Sequence, residues 1–330
     1  MKGLVYTQMG APEVLKVMEV KKPVPTGNQV LIKVKASSIN ATDYAPFESA
    51  VIDGKVSTLF RVKEKIKDKK VGKVLGSEAA GIVEEVGVNV ENFKIGDEVY
   101  GVAVGLCGAW AEYLCMDESA TSLKPRNLSF EEAATVPISG TTALAAIRKA
   151  NIQKGQYVLV YGASGGVGLY MVQLLKAMGA IVTAVCSTRN IELLHKIGAD
   201  SVIDYKKDDF SLNGQTYDAI IAVNGYNFIT KYKKSLKPNG IYVAVGGPLQ
   251  GLQGGVLGPF VGIGSRKKFT FATYFTEIKK QSLSKLREYI EVGKITPCID
   301  EICSIQDAPK IIRKLILNHS QGKTVISFDN

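Results

Sequence analysis

The chain has 330 residues, 46% of them hydrophobic and 22% charged, and a formal net charge of +10. Two domains with sizeable cores are the natural division for that length, and the composition lies in the globular range. No apolar run approaches the ~18 residues of a membrane-spanning helix, so a protein that spans a bilayer by helices is excluded.

The first residues, MKGLVYTQMG, hold one lysine and a short apolar stretch. They read as a strand, not as the longer apolar region of a secretion signal, and the expected location is the cytoplasm. Up to about residue 124 the chain alternates short β-branched runs with Gly, Pro and Asn turns: QVLIKVKA at 29–36, GIVEEVG at 81–87, DEVYGV at 97–102 and AWAEYLC at 109–115. This is the pattern of an all-β domain. From about 125 the rhythm changes to strand and helix in turn: YVLVYG, a helix over 166–178, AIVTAVCS, a helix near 190–197, SVIDY, YDAIIAV, a helix near 227–236, and GIYVAVGG. Strands that are apolar throughout predict a parallel sheet covered on both faces. Two further helices are expected in QSLSKLREYIEVGK and QDAPKIIRKLILNHS, the second opening near Asp307 and Pro309. The closing KTVISF reads as a strand returning to the first domain. The predicted fold is therefore α/β: residues 1–124 and 292–330 form the β domain, and 125–291 form a doubly wound parallel Rossmann sheet.

Cys107, Cys115, Cys186, Cys298 and Cys303 are odd in number and lack C-x-x-C spacing, which predicts reduced thiols and argues against a structural zinc lobe. The basic residues are spread along the chain apart from FRVKEKIKDKKVGK, 60–73, with seven basic and two acidic residues. That cluster reads as a solvated face, with steering of an anionic cofactor or polyanion binding as alternatives.

YVLVYGASGGVGLYMVQLLKAMGA carries the clearest chemical signal. A strand ends at Tyr161, and Gly162, Gly165 and Gly168 follow at threes before an apolar-periodic helix. In this order Gly165 lets backbone approach a pyrophosphate, and Gly168 lets helix pack on strand. The amides at the helix start, around Ser164, Gly165, Gly166 and Val167, point at phosphate. Ala163 stands where the first glycine of the G-x-G-x-x-G pattern is usual. About 20 residues on, where NAD-specific chains carry an acid, this chain has Ser187, Thr188 and Arg189. A guanidinium and hydroxyls suit a 2′-phosphate, so NADP(H) is the expected cofactor. Tyr205 is placed to stack on adenine or reach that phosphate.

In serial order the chain also carries GAPEVLKV, SINATDY, GSEAAGIVEEVG, FKIGDEVYG, GAWAEYL, AATVPISGTTALAAI, GASGGVG, LLHKIGADSVIDY and GKTVI. Over nearly its whole length it resembles the medium-chain dehydrogenase/reductase superfamily, and within it the zinc-independent quinone oxidoreductases related to zeta-crystallin. The resemblance implies that the β domain is GroES-like and is completed by the C-terminal segment. Metal-dependent members usually carry Cys in the segment matching INATDY and His before the Glu of GSEAAG; here Asn40 and Ser77 stand there. The two histidines, His195 and His319, have no metal-ligand spacing to a cysteine, and Glu78 with Asp43 makes a poor zinc set, so no metal is expected.

Without a Lewis acid, a substrate already activated by conjugation fits best, a quinone or an α,β-unsaturated carbonyl. The resemblance assigns Asn40 and Tyr44 to the reacting oxygen or to nicotinamide positioning. It places Thr142 at the nicotinamide end, with helix N-capping as the competing role. Val223, Asn224, Val245 and Gly246 lie after later strands, at carboxyl ends where such a sheet binds ligands. Lys323 is a further cofactor-binding candidate. The stretch between Tyr44 and Gly76 reads as a possible lid, and the glycine-rich 251–264 as a flexible connection or a cover. Relatives commonly form homodimers through the sheet edge that here holds KFTFATY, 268–274, so a homodimer is expected. Reduction of an enoyl thioester is the alternative chemistry, and the charge alone leaves a noncatalytic NADP(H) sensor or RNA-binding protein as the alternative of another class.

Overall fold

The computed structural model of the chain describes residues 1–51, 71–223, 227–246, 251–272, 279–318 and 321–328. Most of the basic cluster, most of the 45–75 stretch, Asn224, His319 and the end of the 268–274 segment lie outside the described residues. The chain forms two compact units: residues 1–138, 279–288 and 297–330 make the first, and 139–278 with 289–296 the second. The first changeover falls at residue 138, not 124, because the helix Phe130–Ala134 packs on the strands of the first unit. Residues 279–288 also belong there, and the Tyr100 hydroxyl donates to the Leu283 carbonyl at 2.8 Å.

In the first unit, β1 (Lys2–Tyr6) pairs antiparallel with β2 (Leu15–Glu19). The main sheet contains β3 (Gln29–Ile39), β4 (Glu78–Val86), β5 (Glu98–Ala103) and β6 (Tyr113–Leu123). β3 pairs with both β4 and β6, which closes the four strands on themselves around Val30, Ile32, Val83, Val99 and Met116. Closure removes the bare edges of these strands. β6 begins later than the expected 109–115, because Ala109 and Trp110 are core side chains carried on irregular backbone.

In the second unit β7 (Tyr157–Tyr161), β8 (Ile181–Cys186), β9 (Ser201–Asp204), β10 (Tyr217–Val223), β11 (Leu236–Val245) and β12 (Lys268–Ala272) form one parallel sheet in the order β12-β11-β10-β7-β8-β9. The chain runs outward from β7 to β9, then returns to the other side of β7 with β10. That reversal creates a switch point at the carboxyl ends of β7 and β10, where doubly wound sheets bind ligands. β11 starts at Leu236, four residues before the expected GIYVAVGG, through an added pairing of Leu236 with Tyr217.

The last two strands, β13 (Ile299–Cys303) and β14 (Lys323–Ser327), join the first unit's sheet, with β14 antiparallel to β3. The return of the C-terminal strand to the first domain is thus observed, and the fold is the expected pairing of a GroES-like unit with a Rossmann-type sheet. Among the described residues no helix is long and apolar enough to cross a membrane.

Candidate active site

Three strand ends converge in the first unit. Thr324 opposite Ile39 brings Lys323, the first residue of β14, beside Asn40, which follows β3. Ala79 opposite Ser37 brings Glu78, the first residue of β4, beside Ser38. Asn40 then caps the short helix Ala41–Tyr44, and its backbone N–H donates to the Asp43 carboxylate at 2.8 Å. Strand register and the short helix together gather Ser38, Asn40, Asp43, Ser77, Glu78 and Lys323, all at most 8% exposed.

Their hydrogen bonds close on one another. Glu78 Oε1 accepts from the Ser38 hydroxyl, from Asn40 Nδ2 at 2.7 Å and from Lys323 Nζ at 3.0 Å. Its Oε2 accepts from the Ile138 backbone N–H at 2.6 Å. That N–H lies in the first turn of the helix Val136–Ala150, whose dipole favours a carboxylate. Asn40 Nδ2 also donates to Ser77 Oγ at 3.2 Å, and Ser77 Oγ donates to Asp43 at 3.2 Å. Lys323 Nζ donates to Asn40 Oδ1 at 2.5 Å and to the Ile39 carbonyl at 3.4 Å.

Two consequences correct the sequence reading. Both N–H groups of the Asn40 carboxamide are spent inside the cluster, so it positions neighbours and has no donor left for an incoming oxygen. Lys323 has three donors and three acceptors, which leaves none for a cofactor phosphate. Tyr44 ends its helix half-buried against the Leu4, Tyr6 and Phe47 cluster. Burial, then the charges of Glu48 and Asp43, push its phenol up to about 12. Ser38, Asp43 and Ile138 were not singled out as cluster members by the sequence, although Asp43 three residues after Asn40 is a capping-box spacing that signals contact.

The second unit holds the glycine turn. Gly162 has φ +76, and a Cβ there would lie 2.0 Å from the Val223 carbonyl oxygen, so the strand ends at the switch point approach too closely for any side chain. A Cβ at Gly168 would lie 2.4 Å from the Gly162 carbonyl oxygen, which is the close helix–strand packing expected of it. Gly165 is the N-cap of the helix Gly166–Ala177, and Gly166, Val167 and Gly168 form its first turn. A Cβ on Gly165 would meet only the Gly162 oxygen at 3.8 Å, so its outer face is open.

Asn190, missed by the sequence reading, ties the turn to the end of β8. Its Nδ2 donates to Ser164 Oγ at 2.9 Å and Ser187 Oγ at 3.2 Å, while its buried Oδ1 has no protein partner. Arg189 is exposed in the turn Thr188–Asn190 that follows. An acid does stand nearby, at the end of β9: Asp204 accepts from Thr188 Oγ1 at 2.6 Å, which with Lys206 and Lys207 holds its carboxyl below the usual range. Tyr205 is exposed and lines a cavity of about 290 Å³ with Tyr161, Lys206, Lys207, Phe210 and Lys231. Val223 and Val245 are buried at adjacent strand ends, and Gly246 follows with φ +134. Thr142 is buried well inside the helix Val136–Ala150, so the N-capping role does not apply to it.

Two family profiles match the chain, one described as "Alcohol dehydrogenase GroES-like domain" over residues 26–126 and one as "Zinc-binding dehydrogenase" over 197–326. Bovine mitochondrial NAD(P)H oxidoreductase RTN4IP1 is 34% identical over 91% of this chain and 82% of its own length. Tomato 2-methylene-furan-3-one reductase is 34% identical over 91% of this chain and 71% of its own. The solved quinone oxidoreductase of Coxiella burnetii is 29% identical and superposes with a TM-score of 0.86 over 99% of both chains. The chain belongs to the medium-chain dehydrogenase/reductase superfamily, in its zinc-independent quinone oxidoreductase branch.

Membership of this superfamily brings a pyridine nucleotide as cofactor. The residues present fit one: the close-packed glycine turn, the open face of Gly165, the first-turn amides and the unsatisfied Asn190 Oδ1 all lie at the carboxyl edge of the sheet. They do not fit zinc, despite the name of the second profile. A catalytic zinc takes three Cys, His or carboxylate ligands at about 2.0–2.3 Å and an open position. Here Asn40 and Ser77 bond directly to each other, a lysine ammonium sits on Asn40 and Glu78, and both Glu78 oxygens are engaged.

Proposed function

We propose that the chain is an NADPH-dependent, metal-independent reductase of quinones and α,β-unsaturated carbonyls. The observation that carries this reading is the composition of the first unit's cluster, an amide, two hydroxyls, two carboxylates and an ammonium that satisfy one another and offer no Lewis acid. A simple ketone or alcohol would need such polarisation, whereas a conjugated acceptor takes hydride without it. The tomato and Coxiella relatives, named as a furanone reductase and a quinone oxidoreductase, represent both acceptor classes.

Bound NADPH would supply the hydride. The protein's part is then to hold the cofactor and to stabilise charge on the acceptor oxygen. Tyr44, whose phenol is pushed up to about 12, keeps its proton across the neutral range and is the donor we assign to that oxygen. Asn40 is assigned to nicotinamide positioning, through the one acceptor lone pair still available on Oδ1. Thr142, Val223, Val245 and Gly246 are assigned to the nicotinamide half. Gly162, Ser164, Gly165, Gly166, Val167 and Gly168 hold the pyrophosphate. Ser187, Arg189 and Tyr205 hold the adenosine and its 2′-phosphate, and Lys206 and Lys207 offset the Asp204 charge. A cytoplasmic setting and a homodimer as the working form belong to the same proposal.

A panel of quinones, enones and saturated alkanals with NADPH and NADH tests the reading. Oxidation of NADPH by the first two classes and not by alkanals is expected; turnover of alkanals alone would overturn it. For the phosphate assignment, Arg189→Ala is expected to weaken NADPH about 10-fold or more and NADH by less than about 2-fold, in keeping with loss of a charge-assisted contact. Equal losses would remove Arg189 from the 2′-phosphate.

A further inference from the structure

We infer that Lys323 is the built-in cation of the first unit's site, a positioning residue whose ammonium balances Glu78 and fixes the carboxamide of Asn40. Only its dependence on Asn40 facing the reacting groups rests on the function proposed above.

The geometry admits one arrangement. Lys323 is 4% exposed and Glu78 is fully buried, and they are 3.0 Å apart. A buried charge left unpaired is strongly unfavourable, so each requires the other. The Asn40 carboxamide lies between them, its oxygen on the ammonium and its NH₂ on the carboxylate. A flipped amide would set NH₂ against ammonium and oxygen against carboxylate, two repulsions in place of two charge-assisted bonds. The ammonium and the carboxylate together therefore decide the amide's orientation, and with it the direction of the Ser77 hydroxyl, which accepts from Asn40 and donates to Asp43. The placement is set by backbone: pairing of Thr324 with Ile39 puts the first residue of β14 beside the residue that ends β3. The positive charge at this junction comes from within the chain, and both Asn40 and Ser77 are neutral residues able to share a site with an ammonium.

The test compares wild-type with Lys323→Met, Lys323→Arg and Glu78→Gln/Lys323→Met, reading melting temperature, NADPH affinity by cofactor fluorescence, and kcat and KM with the best acceptor of the panel. Lys323→Met is expected to lower the melting temperature and to cut kcat at least 10-fold, with NADPH affinity changed less than 2-fold. Lys323→Arg should recover part of kcat. The double variant, neutral at both positions, should regain stability while kcat stays at least 10-fold down, since neither charge then orients the amide. Recovery of kcat together with stability would reduce the pair to charge balance and overturn the inference. So would a 10-fold loss of NADPH affinity at unchanged kcat, which would return Lys323 to the cofactor.

A metal-binding arm stands apart from the functional reading and tests the cation position alone, even if wild-type reduces no acceptor. Cobalt(II) is titrated into Asn40→Cys/Ser77→His with Lys323 kept or replaced by Met, following thiolate-to-metal absorption. Stoichiometric binding only when Lys323 is gone is expected. Equal affinity in both would show that the ammonium does not hold the cation position.

Discussion

At the scale of single residues, the chain separates positions chosen for chemistry from positions chosen for space. Gly162 belongs to the second kind. Its φ of +76 is in the left-handed region, and the Val223 carbonyl leaves 2.0 Å where a Cβ would sit. Strain and overlap add, so Gly162→Ala is expected to destabilise the second unit by about 1–3 kcal/mol. Because the clash is with the end of β10 at the switch point, the same change is expected to weaken NADPH binding. Urea unfolding and cofactor titration of the variant check both. A stability within 0.5 kcal/mol of wild-type, on the order of an ordinary surface substitution, would mean that the strand ends move apart readily.

At the scale of elements, the parallel strands were legible because burial on both faces makes them continuously apolar, and YDAIIAV became β10 at the very residues expected. β6 was not, for a physical reason. Hydrophobicity reports burial, and Ala109 and Trp110 are buried without being in a strand, whereas β6 runs on through the polar MDESATSL, a stretch with solvent on one side. The candidate site divides in the same way. The glycine turn is local and shows in the sequence, but the bond from Lys323 to Asn40 joins residues 283 apart and follows only from the pairing of β14 with β3. The edge strand β12 leads to a prediction of its own. Among the described residues it is bonded only to β11, and Phe269 and Phe271 are half-buried along it. A bare apolar edge invites pairing with another copy. Light scattering is expected to give about twice the chain mass of 35.5 kDa, and Thr270→Lys to shift the protein toward monomer. A wild-type monomer at micromolar concentration would leave that edge to some other cover.

For the whole molecule, charge sets how the fold responds to acid. The Lys231 ammonium, 2.5 Å from Asp209, together with the Ser211 N–H and hydroxyl, holds that carboxyl down at about 2, against an ordinary 3.8. Glu13, bonded by Arg313, and Asp204, bonded by Thr188, are also held below their usual range. A carboxyl depressed in the folded state stabilises it above the unfolded pKa, and that contribution is lost as pH falls through the folded value. For Asp209 the window runs from 3.8 down to about 2. The gross linkage is near 2.4 kcal/mol at about 1.36 kcal/mol per unit, but both partners touch solvent, and screening reduces it to about 1 kcal/mol. Over the same window the 31 carboxylates lose the charge that offsets 41 Lys and Arg, so repulsion adds to the loss. Lys231→Met should therefore be about 1 kcal/mol less stable than wild-type at pH 7 in urea unfolding, with the gap closing by pH 2. Added salt should relieve the common acid destabilisation of both proteins and leave the closing of the gap in place. A gap that persists undiminished at pH 2 would assign the Lys231 contribution to the packing of its alkyl chain, because by then the carboxylate it pairs with is about half protonated and most of the linkage is lost.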